Sequence, residues 1–299
     1  MTNALREQFR AVLTNEFRPA FSGTSVAVQR ATLEAIGSQA QLPEGIVHEP
    51  ATFAGVACEW ERPTTAADGR VLFHHHGGGY VLGSLLSSRG IACWTAHNTR
   101  ASVLVHDYRL APEHPVPAGL DDSLAVYQAL LEAGHRPEQI IFSGDSAGGG
   151  LAVGTALRAR DRGLPLPKAL VLMSPWVDMS LSGESMTARA ELDPWLTYDM
   201  CDELRNHYLG GRDPKDPEAS PVFADLSGLP PMLIQVGEHE ILFSDSDRLA
   251  QSAKAAGVSV ELEVGEGMWH VWQLMAPILP ESNEAYARIS AFVDQQFGA

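Results

Sequence analysis

Residues 140–149 read IIFSGDSAGG, an apolar, β-branched run that enters a G-x-S-x-G pentapeptide. A helix-compatible run follows over residues 151–162. This order of strand, turn and helix is the context in which the pentapeptide forms a sharp turn that presents its serine. Gly144 and Gly148 flank that serine because the turn brings backbone too close for a Cβ atom. We therefore predict that the Ser146 hydroxyl projects from the end of a strand, as a nucleophile must.

A phosphate-binding loop is the alternative interpretation of this glycine-rich turn. No Gly-Lys-Ser or Gly-Lys-Thr follows it, and no basic residue stands nearby to balance phosphate charge. The chain has 37 acidic and 21 basic residues, a net charge of −16, so its field repels nucleic acid and anionic lipid. It also contains no apolar run near the roughly 18 residues of a membrane span. We expect neither a nucleic-acid partner nor stable membrane insertion.

Short apolar runs alternate with helical patterns from about residue 50 onward, which predicts a mostly parallel sheet with helices on both faces. The predicted strands are Val71–Phe73, Ser102–Val105, Ile140–Phe142, Leu170–Met173, Met232–Val236 and Val258–Val264. This alternation breaks between Pro175 and Pro221, which we interpret as an insertion above the sheet with a helix around Tyr198 to Leu209. Near the N-terminus, helical spacing predicts an apolar helix face made of Leu5, Phe9, Val12, Leu13 and Phe17.

A second glycine-rich segment, HHHGGGY at residues 74–80, follows the strand that ends at Phe73. Successive glycines let the main chain approach a ligand closely, so their N–H groups can stabilise a developing oxyanion. Gly78 and Gly79, together with Ala147 after the serine, are the candidate donors. His76 is the residue that we expect to support this loop.

Three adjacent histidines, His74 to His76, also admit a metal site as an alternative interpretation. Neighbouring strand residues point to opposite faces, and no carboxylate or thiolate lies at ligand spacing. We therefore favour structural histidines over metal ligands and expect no metal.

The two motifs together resemble those of the bacterial hormone-sensitive-lipase-like esterases, family IV of the α/β-hydrolase superfamily. Members carry an H-G-G-G loop and a G-D-S-A-G-G turn, and this chain has both. HDYRLAPEHPVPA at residues 106–118 and SPW at residues 174–176 are similar to family segments as well. The resemblance implies an α/β-hydrolase fold with a mostly parallel eight-stranded sheet, flanking helices and a helical cap. It also implies a serine carboxylesterase for short acyl esters, without a cofactor and often as a homodimer.

The resemblance also implies how the domains divide. The catalytic core would comprise residues 46–177 and 223–299, and the helical cap would comprise residues 1–45 and 178–222. Three aromatic residues of the second cap segment either line a pocket or form the core of the cap: Trp195, Tyr198 and Tyr208.

A serine nucleophile needs an imidazole to take its proton. In α/β-hydrolases the chain order is serine, acid, histidine, which leaves His207, His239 and His270 as candidates. His270 follows the last predicted strand, in GEGMWH at residues 265–270, and family members similarly place the base after a glycine and a methionine. We therefore predict that His270 is the base.

The acid should follow the strand that ends at Val236. The family usually has Asp-Pro-Leu there, whereas this chain has Glu240 followed by Ile and Leu. A glutamate can hold the imidazole if the backbone retreats by one methylene, roughly 1.5 Å. Glu238 and Asp245 are rivals, although Asp245 is more simply interpreted as the N-cap of the next helix. We predict a triad of Ser146, His270 and Glu240.

Two other functions fit the same motifs. A lactone, carbamate or amide hydrolase would use the same triad. A non-catalytic small-molecule receptor on this fold, like the plant gibberellin receptors that resemble the family, would lack the base. We expect a cytoplasmic location because residues 1–10 lack a signal-peptide pattern and because the three widely spaced cysteines predict reduced thiols: Cys58, Cys93 and Cys201.

Overall fold

The computed structural model describes residues 2–67 and 69–298. Its strands form one sheet in the order β1-β2-β4-β3-β5-β6-β7-β8, in which β2 alone runs opposite to the other seven strands. The predicted mostly parallel, eight-stranded sheet is therefore confirmed. The strands are β1 Ile46–Phe53, β2 Val56–Pro63, β3 Val71–His75, β4 Ser102–His106, β5 Ile140–Asp145, β6 Ala169–Met173, β7 Met232–Gly237 and β8 Val260–Gly265.

The six predicted strands correspond to β3 through β8, whose central members are buried on both faces. The last of them, β8, begins two residues later than predicted, at Val260. The pattern of apolar runs missed β1 and β2. Both are interrupted by charged residues, and most of β1 is exposed at the edge of the sheet. An edge hairpin of this kind carries no continuous apolar run to reveal it.

Ten α-helices accompany the sheet in the described part of the chain. They are α1 Thr2–Val12, α2 Arg18–Phe21, α3 Val26–Gly37, α4 Leu85–Thr99, α5 Ala118–Glu132, α6 Ala147–Asp161, α7 Ser185–Ala188, α8 Tyr198–Leu209, α9 Phe243–Ala255 and α10 Pro280–Phe297. Helices α5, α6 and α9 pack on one face of the sheet, and α4 and α10 pack on the other. Adjacent strand residues alternate between these two cores, as the period of a strand requires.

Helices α1 and α2, with the turn between them, lie against the segment that follows β6. The Phe17 and Trp195 rings meet edge to face at 6.0 Å, and Thr14 Oγ1 donates to Pro194 O at 3.2 Å. Four of the five residues predicted for the apolar face of the N-terminal helix, Leu5, Phe9, Leu13 and Phe17, pack in one cluster with Trp269, and Val12 is not part of it. Among the residues that the structure describes, no helix has the length and apolar character needed to span a bilayer.

Candidate active site

The loops that follow five strands meet at the carboxyl edge of the sheet. This edge is where parallel α/β folds place their ligands. The residues that meet there are Gly78 after β3, Ser146 after β5, Ser174 after β6, Glu240 after β7 and His270 after β8.

Ser146 occupies the sharp turn between β5 and α6, with φ 53° and ψ −124°. A Cβ atom on Gly144 would lie 2.3 Å from the carbonyl oxygen of Gly148. One on Gly148 would lie 1.9 Å from the carbonyl oxygen of His75. Neither position has space for a side chain, which is the physical reason that both residues are glycine. The same crowding holds Ser146 in its left-handed conformation.

His270 lies beside the serine. Its Nε2 atom is 2.9 Å from Ser146 Oγ, and its side chain is almost fully buried. The indole ring of Trp195 meets the imidazole edge to face at 5.9 Å. The preceding residue, Trp269, is completely buried and packs near Phe9 of α1. Packing of Trp195 on the imidazole and burial of the preceding residue therefore fix where the imidazole lies.

Glu240 is on the other side of the imidazole. Its Oε2 atom is 2.9 Å from His270 Nδ1, and its side chain is completely buried. Its other oxygen, Oε1, accepts hydrogen bonds from Ser174 Oγ at 2.6 Å and from Gly237 N. A carboxylate in this place favours the tautomer with the proton on Nδ1, which leaves the Nε2 lone pair facing Ser146 Oγ.

The rival carboxylates are engaged elsewhere. Glu238 is exposed and accepts from Gly267 N at 2.8 Å. Asp245 is buried in α9 and accepts from the amides of Val177 and Asp178 at 2.9 and 2.8 Å. The expected N-cap role of Asp245 is wrong, because α9 begins two residues earlier and the carboxylate instead holds the loop after β6. Burial, reinforced by the charge of Asp178, raises the pKa of Asp245 to about 8.

The other two histidine candidates lie apart from the serine. His207 is on α8. His239 Nδ1 is 3.1 Å from a guanidinium nitrogen of Arg10, and burial together with that positive charge lowers the pKa of His239. The structure thus brings together Ser146, Glu240 and His270 among the predicted candidates.

The glycine loop approaches the serine turn through Asp145. Its carboxylate accepts from Gly77 N at 3.1 Å. Gly78 and Gly79 have φ angles of 119° and 62°, which L-residues rarely adopt. In the described part of the chain, neither of their amides is paired with an acceptor. Ala147 N is the first amide of α6 and has no carbonyl one turn earlier in the helix. Three amides are therefore available beside the serine hydroxyl.

His76 contacts this loop directly. Its Nδ1 atom is 2.8 Å from Gly77 O, and its ring stacks on Tyr108 with centroids 4.2 Å apart. Burial lowers the pKa of His76 to about 4 and that of His75 to about 3, so both are neutral near pH 7. His74 and His75 hydrogen-bond to Ser143 on β5. All three histidines have structural contacts, and His76 contacts the glycine loop that it was expected to support.

A separate cluster of possible metal ligands occurs on β1, β2 and α4. The ligand atoms of His48, Glu61 and Cys93 lie within 4.8 Å of one another. Glu61 Oε2 interacts with both other side chains, and burial raises the pKa of the Cys93 thiol. A neutral thiol and an imidazole that share one carboxyl oxygen form an ordinary hydrogen-bond network, which is open to solvent on the His48 side.

A cavity of about 140 Å³ is lined by the Ser146 and His270 side chains and by the glycine loop. Trp195 lines it, whereas Tyr198 is 45% exposed and Tyr208 stacks on Tyr80 at 3.9 Å. Its apolar wall was not predicted, because it is assembled from segments far apart in sequence. The apolar wall residues include Phe17, Phe21, Leu33, Ile36, Leu82, Ile91, Leu196, Met200, Leu204, Leu242 and Leu274.

Comparison with known proteins identifies the family. Residues 72–274 match the family model described as the alpha/beta hydrolase fold. An acetyl-hydrolase of Streptomyces hygroscopicus is 41% identical over 268 residues, which cover 90% of this chain and 88% of that protein. An esterase of Acinetobacter venetianus is 41% identical over 244 residues, 81% of this chain and 80% of that protein.

Solved structures agree along nearly the whole chain. An esterase from the bacterial hormone-sensitive lipase family is 42% identical with a TM-score of 0.94, and the match covers 98% of each chain. An esterase/lipase from an uncultured bacterium is 40% identical with a TM-score of 0.93, covering 98% of this chain and 99% of that one. The chain therefore belongs to the bacterial hormone-sensitive lipase family of α/β-hydrolase esterases.

Proposed function

We propose that this protein is a serine carboxylesterase that cleaves short acyl esters with Ser146, His270 and Glu240. One observation carries the proposal. Ser146 Oγ, the His270 imidazole and the Glu240 carboxylate form an unbroken series of 2.9 Å contacts beside the amides of Gly78 and Gly79, for which the described residues supply no acceptor. Nucleophile, base, acid and oxyanion donors are thus present together, as acyl transfer through a covalent intermediate requires.

In the first step, Ser146 Oγ attacks the ester carbonyl carbon while its proton moves to His270 Nε2. The amides of Gly78, Gly79 and Ala147 stabilise the resulting oxyanion. The bond to the alcohol then breaks, and His270 returns the proton to the leaving oxygen.

In the second step, His270 takes a proton from water as the water oxygen attacks the acyl carbon. The bond from the acyl carbon to Ser146 Oγ then breaks, His270 returns the proton to Ser146 Oγ, and the carboxylic acid is released. Glu240 stabilises the imidazolium ion that forms in each step. Its complete burial strengthens that electrostatic stabilisation, because little water screens the pair.

The cavity supports short acyl chains as substrates. Its volume of about 140 Å³ is small beside the roughly 300–1,000 Å³ of typical ligand pockets. Its wall is mostly hydrocarbon, which favours an alkyl group over a charged one. Trp195 and Leu204 bound the space near the base and the glycine loop.

A panel of p-nitrophenyl esters tests this function. We expect hydrolysis of the acetate and butyrate to exceed that of the decanoate, and we expect Ser146→Ala to reduce each rate to background. Failure to hydrolyse any of these esters, or full activity in Ser146→Ala, would contradict the proposal.

The alternative activities are tested with the same protein. Matched lactone, carbamate and amide substrates should be cleaved more slowly than the butyrate ester. The contact between His270 and Ser146 favours an enzyme over a receptor, since a receptor has no use for an activated serine. Tight binding of a small molecule without turnover of any ester would favour the receptor.

Three further properties belong to the same proposal. The catalytic core comprises residues 46–177 and 223–299, and the cap comprises 1–45 and 178–222; residues 1, 68 and 299 lie outside the described part. The contacts of α1, α2 and the turn between them with the segment after β6 support that division. We propose a homodimer, to be tested by light scattering, and a cytoplasmic location, to be tested by cell fractionation. Three buried, unpaired cysteines fit a reducing compartment.

A further inference from the structure

The hydroxyl of Ser174, at the end of β6, contacts two of the loops that form the site. Its Oγ atom donates to Glu240 Oε1 at 2.6 Å and accepts from Val271 N at 3.1 Å. Ser174 is completely buried. One hydroxyl therefore joins the carboxylate after β7 to the loop that carries His270.

We propose that Ser174 is a positioning residue for Glu240, and that it restricts the extra freedom of a glutamate at this place. A glutamate side chain has one more rotatable bond than an aspartate. Because Oε2 contacts His270, the orientation of the carboxylate depends on what holds Oε1. Ser174 Oγ and Gly237 N are the donors that the described residues supply to Oε1.

The backbone of Ser174 supports a role for its hydroxyl. Its φ angle is 49°, in the left-handed region where a glycine would be easier to accommodate. Ser174 N donates to Gln235 O at 2.7 Å, which continues the pairing of β6 with β7 through this strained residue. A serine in a conformation that favours glycine is best explained by a use for the side chain.

The second contact fixes the base. Val271 follows His270 and is also left-handed, with a φ angle of 48°. Its amide donates to Ser174 Oγ, so the same hydroxyl sets the separation of the acid from the base. Ser174 is not among the residues that line the cavity. We therefore expect its loss to lower kcat through Glu240 and to leave KM nearly unchanged.

Three substitutions at two positions separate this role from a general effect on packing. Ser174→Ala and Ser174→Gly both remove the hydroxyl. Glycine also adopts the left-handed backbone conformation at this position without strain. Ser246→Ala is the matched control, because Ser246 is completely buried on α9 and its hydroxyl has no partner in the described part of the chain.

We expect both Ser174 variants to lower kcat for p-nitrophenyl butyrate by about 10-fold or more, as loss of one hydrogen bond to a charged group predicts. KM should stay within about twofold, and Ser246→Ala should keep the wild-type kcat. If Ser174→Gly retains kcat within about twofold, the hydroxyl has no positioning role and the proposal is overturned. If Ser174→Ala does not fold, Ser174→Gly still decides the question.

A double-mutant cycle then tests whether Ser174 acts through Glu240. In Glu240→Asp the side chain is too short to contact both His270 and Ser174. Removal of the Ser174 hydroxyl should therefore lower kcat by less than about twofold in that background. An equal loss in both backgrounds would overturn the proposal. The inference rests on the proposed triad, yet the two fail separately: full activity of Glu240→Gln contradicts the triad. An inactive Glu240→Gln beside fully active Ser174 variants contradicts only the role of Ser174.

Discussion

Gly148 lies so close to His75 that a Cβ atom on Gly148 would stand 1.9 Å from the carbonyl oxygen of His75. His75 ends β3 immediately before the glycine loop, and Gly148 lies in the first turn of α6. The oxyanion loop and the serine turn therefore touch through their backbones. Any change that separates them moves the candidate donors away from Ser146.

Substitution of Gly148 tests that contact. We expect Gly148→Ala to lower kcat/KM for p-nitrophenyl butyrate by about 100-fold or more, because backbone cannot move aside as a flexible side chain can. Thermal unfolding should occur at a lower temperature. Gly163→Ala, just after the C-terminal end of α6, is the control for activity: a Cβ atom there would meet nothing within 4 Å, so the strain at its φ of 68° should lower the unfolding temperature without changing kcat/KM. Near-normal activity of Gly148→Ala would show that the turn adjusts easily.

Substitution of the acid distinguishes the three carboxylates near the end of β7. We expect Glu240→Gln to lower kcat by about 10³-fold, because an amide can hold the wrong imidazole tautomer and does not stabilise the imidazolium. Glu238→Gln should keep at least half of the activity, because Glu238 is exposed and contacts a loop amide. A larger loss in Glu238→Gln than in Glu240→Gln would assign the acid to Glu238.

The raised pKa of Asp245 predicts how stability depends on pH. Between about pH 4, near the ordinary pKa of an aspartate, and about pH 8, Asp245 is protonated in the folded protein and ionised in the unfolded chain. The contribution of this raised pKa to the free energy of unfolding is therefore complete below about pH 4 and is lost as the pH rises towards 8. Asp245→Asn, which stays neutral, should lose less free energy of unfolding between pH 5 and pH 8 than the wild type.

Urea unfolding at the two pH values measures this difference. Asp247→Asn, on the same helix, is the control and should follow the wild-type pH dependence. Equal pH dependence in the wild type and in Asp245→Asn would mean that Asp245 does not titrate in this range.

Leu204 tests whether the cavity limits acyl length. It lines the cavity, and a Cβ atom on Gly79 would lie 2.6 Å from its Cδ1 atom, so it stands directly over the glycine loop. We expect Leu204→Ala to raise the ratio of octanoate to butyrate kcat/KM by about 3- to 10-fold, because it opens space for additional methylenes. Leu192→Ala, at an exposed residue, should leave the ratio unchanged. An unchanged ratio in Leu204→Ala would place the acyl chain elsewhere.

The sequence predicts most of the central sheet and the serine turn because their patterns are local. Five consecutive residues determine the turn around Ser146, and continuous apolar runs reveal strands such as β5. His270 and Glu240 were predicted from strand ends, because the carboxyl ends of parallel strands share one edge.

The strands and contacts that were not predicted depend on interactions between distant segments of the chain. The hairpin of β1 and β2, which ends the sheet on one side, carries charged residues and shows no apolar run. The contact of Asp245 with Val177 and Asp178 spans almost 70 residues and left no local pattern. Ser174 belongs to a recognised segment, yet its contact with Glu240 appears only when β6 and β7 are seen side by side.

Covalent labelling is the most direct test of the central claim, that Ser146 forms an acyl-enzyme. The protein is treated with a serine-reactive phosphonate, and the modified peptide is located by mass spectrometry while esterase activity is followed. We predict one adduct per chain, on Ser146, that forms in proportion to the loss of activity and is absent from Ser146→Ala. Complete inactivation with the adduct on another residue, or undiminished activity with Ser146 fully modified, would contradict this account.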